Sequence, residues 1–136
     1  MKLTGLRYLL LLDAVLLFVI GAALIFAPRD VQAAFGFRDL PQGVNYMVGL
    51  WGCLFLTLAV GYFTAARDPL RHVVWVQVGI ARGALESVLG LIYLERGIVS
   101  WRQAAFGIIA AAVITIAYIV LYPRRSALRP NAPAPT

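Results

Sequence analysis

Charged residues, cysteine and histidine are scarce in this 136-residue chain, and each scarcity excludes something. Only 13% of the residues are charged and 62% are hydrophobic, where a soluble domain carries about 25% charged and about 45–50% apolar residues. That balance excludes an ordinary water-soluble globule, a disordered chain and a nucleic-acid-binding domain. The excess of 12 Lys and Arg over 6 Asp and Glu would point to nucleic acid in a soluble chain. Here the basic residues fall between apolar runs rather than along one face, and they read as topology signals.

The single cysteine, Cys53, excludes an intrachain disulfide, a thiolate metal site and a paired redox centre. Lying inside an apolar run, it is expected to be a small buried hydrophobe. The single histidine, His72, cannot supply the axial pair of a membrane haem. No metal and no cofactor is therefore expected. Missing too are a Gly-rich phosphate loop, a His-Glu-x-x-His pair, a Ser/His/Asp set and a CxxC. The loops are too short for an extramembrane active site, so nothing points to an enzyme. No internal repeat is visible, and no span is broken at its middle by paired Gly-Pro, which argues against a transporter built on midplane half-helices.

What the chain does have is four apolar runs, at about residues 6–27, 44–66, 72–94 and 101–122. Each is near the roughly 20 residues that cross a bilayer as a helix. Only helices or closed barrels satisfy their own backbone in hydrocarbon, and runs this long and unalternating are not barrel strands. The first run stops at Pro28, which lacks a backbone donor. It is longer than a signal-peptide core, carries Asp13 and lacks a clean cleavage site, so it reads as a span and not as a leader. The expected fold class is an all-α membrane protein, a four-transmembrane-helix up-down-up-down bundle with short loops.

With the N-terminus inside, Lys2, Arg7, Arg67, Arg71, Arg124, Arg125 and Arg129 lie on the cytoplasmic side, against Arg29, Arg38, Arg96 and Arg102 outside. The positive-inside rule then places both termini in the cytoplasm. Residues 1–122 form the transmembrane domain. Within it, residues 30–41 make a short interfacial segment with Asp30 as its expected N-cap. That segment is either a loop anchored by Phe35 and Phe37 or a lid over the outer mouth of the bundle. Residues 123–136 are a basic, Pro/Ala-rich cytoplasmic tail.

Three ionisable residues fall inside the spans: Asp13 in the first, Arg82 and Glu86 in the third. A charge at the bilayer centre costs about 2.5–3.5 kcal/mol on the most lenient scale, so such groups face inward and pair. Arg82 and Glu86 are spaced i, i+4 and share one face. At 1.5 Å rise per residue, Asp13 and Arg82 sit about 10 and 15 Å into spans that run the same way, within reach of an Arg side chain. An Asp13–Arg82–Glu86 network is expected, one plus and two minus, able to hold a proton or a cation. Thr57 and Tyr118 are expected beside it.

Gly79, Gly83 and Ser87 form a small-residue row on the third span, with Gly90 beside it, and Gly49, Cys53, Thr57 and Gly61 form one on the second. Such rows let helices approach closely. Ala104, Ala111, Thr115, Tyr118 and Tyr122 line the fourth. Tyr8, Tyr46, Tyr62, Tyr93, Tyr122 and Trp101 fall near run ends and read as interfacial belts; Trp51 and Trp75 lie deeper. The charged trio thus either locks helix register or lines a polar cavity.

Phe26-Ala27-Pro28, Gly49-Leu50-Trp51-Gly52, Ala65-Ala66-Arg67-Asp68-Pro69, Arg82-Gly83-Ala84-Leu85-Glu86 and Tyr122-Pro123-Arg124 together make the chain similar to the small four-helix DoxX-like membrane proteins. Each motif is short; the resemblance spans nearly the whole chain. Some proteins of that wider group are subunits associated with quinone-linked oxidoreductases. The resemblance implies a multi-pass protein of the bacterial inner membrane, an accessory role beside other membrane subunits or in self-association, and no catalytic residue. The expected function is a structural or accessory subunit. A small transporter or proton/cation-handling protein using Asp13, Arg82 and Glu86 is the alternative, and a quinone- or lipid-binding subunit a third.

Overall fold

The computed structural model describes residues 2–37 and 40–123. Among the described residues the chain is all-helical: α1 (Lys2–Phe26), α2 (Pro28–Ala34), α3 (Gln42–Arg67), α4 (Val73–Glu95) and α5 (Trp101–Leu121). Four of these, all but α2, are long and apolar enough to cross a membrane. Apart from Pro123 the proposed tail lies outside the described residues, as do Arg38 and Asp39.

The helix ends follow from local chemistry. Pro28 opens α2 at its first position, where its missing N–H costs nothing and its fixed φ suits a helix. The N-cap is therefore Ala27 and not Asp30, whose carboxylate sits instead in the first turn, near the positive end of the helix dipole. Gly36 (φ +79°) and Gly97 (φ +69°) end α2 and α4. In both, the glycine N–H and the next N–H fold back onto the last carbonyls, Gly36 to Ala33 and Phe37 to Gln32, Gly97 to Leu94 and Ile98 to Tyr93. Only glycine adopts that left-handed turn without a Cβ penalty. The Gln103 amide oxygen accepts from the Ser100 N–H at 2.8 Å and so closes the start of α5.

The tightest pairings are α1 with α3 and α4 with α5. Gly21 and Gly52 set the first: a Cβ on Gly52 would lie 2.7 Å from the Gly21 carbonyl oxygen, and one on Gly21 2.9 Å from the Gly52 oxygen. Gly83 sets the second, because a Cβ there would meet Thr115 Oγ1 and, at 2.8 Å, the Ala111 carbonyl. Backbones this close are held by dispersion, which drives helix association where lipid is as apolar as the helices.

The small-residue row expected on the second span is different in the structure. Gly49 has nothing within 4 Å of a Cβ, Cys53 and Thr57 are exposed, and only Gly61 packs. The face that meets α1 runs one position off, through Gly52 and Ala59. Cys53 is thus not a buried hydrophobe. Among the α4 row, Gly79 and Gly83 are buried against α5, while Ser87 donates to the Gly83 carbonyl of its own helix at 2.7 Å.

The core is concentrated at one end. Leu6, Leu10, Ala14 and Leu17 of α1 pack with Ala59, Tyr62, Ala65 and Ala66 of α3, Val76 of α4 and Tyr118 of α5. Toward the other end the helices enclose a cavity instead.

Candidate functional site

The site starts from Asp13, almost wholly buried on α1. Arg82 reaches it from α4: Nη2 donates to Oδ1 at 2.7 Å and to Oδ2 at 3.0 Å. Tyr118 on α5 donates its hydroxyl to Oδ2 at 2.9 Å. A carboxylate in hydrocarbon is tolerable only when paired and hydrogen-bonded, and here three donor contacts from two helices meet that requirement. The fourth helix contributes Tyr62, whose ring lies 5.3 Å from the Arg82 guanidinium carbon, a cation–π contact strengthened by the absence of water. Tyr62 also stacks on Tyr118 at 6.3 Å and meets Trp75 edge-on at 5.5 Å.

Two glycines are sockets for these rings. A Cβ on Gly79 would lie 2.6 Å from the Tyr118 ring, and one on Gly61 would overlap the Trp75 indole. Tyr62 is therefore not an interfacial belt residue; with Trp75, which lies deeper, it forms the packed floor of the site. Their inward orientation was readable from neighbours: Ala59, Ala65 and Ala66 flank Tyr62 at helical spacing and are buried with it. Tyr122 is engaged too, its hydroxyl accepting from Gln77 Nε2 at 2.8 Å.

Above this floor opens a cavity of about 560 Å³. Leu17, Ile20 and Leu24 of α1, Val44, Val48, Trp51 and Phe55 of α3, and Phe106, Gly107, Ala110 and Ile114 of α5 form its walls. The segment around α2 contributes Val31, Gln32, Phe35, Phe37 and Leu40. It bridges two helices: Gln32 Nε2 donates to Asn45 Oδ1 at 3.1 Å, the Gln103 side chain reaches the Gly36 carbonyl at 3.4 Å, and the Phe35 ring lies 6.3 Å from that of Phe106. The segment thus spans the mouth as a roof.

Polar groups enter the cavity lining at Asp13, Arg82, Glu86 and Gln32. Glu86 is the outermost of the charged trio, its side chain 46% exposed, with Oε1 3.7 Å from Arg82 Nε. That is an ion pair but too long for a hydrogen bond. Arg82 Nε and Nη1 and the Tyr62 hydroxyl are buried without a hydrogen-bond partner among the described residues. Buried polar atoms of this kind are uncommon in native proteins.

Of the residues singled out in the sequence, Asp13, Arg82, Glu86 and Tyr118 meet in this site. Thr57 does not: it is exposed on α3, its hydroxyl donating to the Cys53 carbonyl at 2.9 Å. The sequence reading missed the packing roles of Tyr62 and Trp75 and the apolar walls of the cavity, having offered only a polar cavity lined by the charged trio as one alternative. Among the described residues no three His, Cys, Asp or Glu side chains gather where they could hold a metal ion.

Fold and site together define a helical chain with four helices able to cross a membrane and a charged cluster among them. No protein-family model matches it, and no curated protein or solved structure does.

Proposed function

We propose that this chain is a non-catalytic integral membrane protein that holds a lipid-like molecule in its roofed cleft. In this reading it is a DoxX-like protein of a bacterial inner membrane, an up-down-up-down bundle with both termini cytoplasmic. It acts as an accessory subunit beside other membrane subunits or copies of itself. The observation that carries the ligand-holding part is the cavity of about 560 Å³, within the roughly 300–1,000 Å³ of ligand sites, apolar on its walls and polar at one end. The up-down course is supported by Arg7 Nη2 donating to the Arg67 carbonyl at 3.0 Å, while Gly21, later in α1, meets Gly52, earlier in α3. That contact brings two basic residues to one end, as the positive-inside rule asks of the cytoplasmic side.

Native mass spectrometry of the protein extracted in mild detergent tests the reading. A small-molecule mass is expected on the wild type and not on Gly107→Trp. Gly107 borders the cavity and has open space around a Cβ, so the indole fills the cleft without displacing backbone. A wild type that carries no added mass, and no partner, at any activation energy refutes the proposal.

Glu86 favours a second reading, proton or cation handling, because a half-exposed carboxylate beside Arg82 within a span is a default functional signal. Equal proton flux in proteoliposomes of wild type and Glu86→Gln removes it.

A further inference from the structure

A second apolar recess lies away from the cavity under α2, on the outer side of α1 and α3. It is a groove of about 250 Å³, with the buried Ala14 and Ala59 at its base and the exposed Val15, Phe18, Val60 and Phe63 along its sides. Two arginines stand at one end of it. Arg67 follows Phe63 by one turn of α3, and its guanidinium carbon lies 5.0 Å from the centre of the Phe63 ring. Arg7 precedes Ala14 by two turns on the same face of α1, and its Nη2 donates to the Arg67 carbonyl at 3.0 Å. That carbonyl carries no formal charge, and among the described residues neither guanidinium makes an ion pair. The adjacent Asp68 carboxylate is engaged elsewhere, accepting from the Arg71 backbone N–H at 3.2 Å. Two unpaired cations at the end of an apolar groove match an amphiphile of opposite charge.

We propose that this groove binds an anionic phospholipid, its phosphate between Arg7 and Arg67 and one acyl chain along Phe63 and Val60 toward Phe18. The proposal rests on the four long helices being membrane spans and is separate from the ligand-holding reading of the other cavity. Guanidinium groups grip phosphate through paired, charge-assisted hydrogen bonds, and basic pockets beside membrane helices hold anionic heads. The length fits as well. Phe18 lies eleven residues beyond Arg7, about 16 Å along α1 at 1.5 Å rise per residue. Half of a hydrocarbon core of about 30 Å is about 15 Å, so one leaflet's chain reaches from the arginines to the far end of the groove. A second copy fits less well, because a two-fold interface sets each patch against itself and would gather the unpaired guanidiniums of both copies.

The experiment uses the full-length protein, delipidated in a non-ionic detergent and read by native mass spectrometry. The probes are a phosphatidylglycerol and a phosphatidylcholine with the same acyl chains, the matching diacylglycerol, and glycerol phosphate. Phosphatidylglycerol is expected to bind about tenfold more tightly than phosphatidylcholine, the margin that two basic groups at a membrane surface supply. The double variant Arg7→Gln with Arg67→Gln is expected to bring the two lipids to within about twofold of each other. Both side chains are exposed, and helical circular dichroism checks the fold. Arg67→Gln alone is expected to lose more of the preference than Arg71→Gln, which lies in the turn beyond the groove. Val60→Trp, at an exposed position on the groove wall, is expected to weaken both lipids alike. Equal binding of the two lipids by the wild type overturns the proposal, and so does an equal loss with Arg71→Gln, which marks diffuse attraction to a basic rim. Glycerol phosphate that displaces the lipid at equal concentration shows an anion site without a chain, and diacylglycerol that matches phosphatidylglycerol shows a groove without a head site; either result overturns it. A second copy bound in place of lipid, and lost with Val60→Trp, makes the groove a protein interface and overturns it too. Gly107→Trp, which fills the cavity under α2, is expected to leave the preference intact. A preference lost there places the lipid in that cavity, which sinks the groove and supports the earlier reading.

Discussion

Asp13→Asn keeps the shape of the buried carboxyl and removes its charge, which leaves the Arg82 guanidinium uncompensated. The side chains are 2% and 14% exposed for Asp13 and Arg82, and their closest contact is 2.7 Å. Removing one partner of a buried pair costs about 3–5 kcal/mol. The lower end applies, because Arg82 borders the cavity and retains Glu86 nearby, and because the asparagine oxygen still accepts from Tyr118. A loss of about 3 kcal/mol is expected on that basis. Arg82→Met added to Asp13→Asn removes the stranded charge and fills its volume, and the double variant is expected within about 1 kcal/mol of wild type. Reversible unfolding in mixed micelles, followed through helical circular dichroism and the fluorescence of Trp75 against Tyr62, gives both numbers. The reasoning is refuted if the single change costs under about 0.5 kcal/mol, or if the double variant loses as much as the two singles added together, since a coupled pair cannot be additive.

Gly52→Ala and Gly49→Ala, three residues apart, should behave oppositely in the same unfolding experiment. The first forces α1 from α3, where a Cβ meets the Gly21 carbonyl at 2.7 Å, and should cost about 1–3 kcal/mol. The second adds a methyl to open space and should be neutral or stabilising by about 0.5–1 kcal/mol. Gly83→Val should loosen α4 from α5 and lower the fraction of protein that survives detergent extraction folded, because the Ala111 carbonyl cannot yield as a side chain can. Thr57→Ala should leave stability within about 0.5 kcal/mol, its hydroxyl bonding only its own helix at an exposed position.

The four long helices were legible because hydrocarbon allows a long apolar run only one backbone solution, and the observed α3 and α4 lie within a few residues of the expected runs. The meeting of Asp13 with Arg82 was also legible, since a lone charge in a span needs a partner and rise per residue limits where that partner can be. The second-span row was misread for a specific reason. Gly49, Cys53, Thr57 and Gly61 keep to a strict small-residue spacing, but the α3 face that packs on α1 carries Gly52, with Gly21 and Leu24 against it. A row of small residues does not say which side of its helix has a neighbour. Tyr62 was misread because an aromatic near a span end is as common in a belt as in a core.

Sequence alone determined the helical class, the four helices long and apolar enough to cross a membrane and the identity of the charges that had to be neutralised, because a bilayer penalises every exposed backbone group and every unpaired charge residue by residue. Only the tertiary structure decided that one end of the bundle closes on Leu6, Tyr62 and Tyr118 while the other opens into a cavity under α2. Those outcomes depend on which glycine receives which ring and on how far apart two helices stand at each level. Such distances arise from pairs of surfaces fitting together, and no single stretch of chain encodes them.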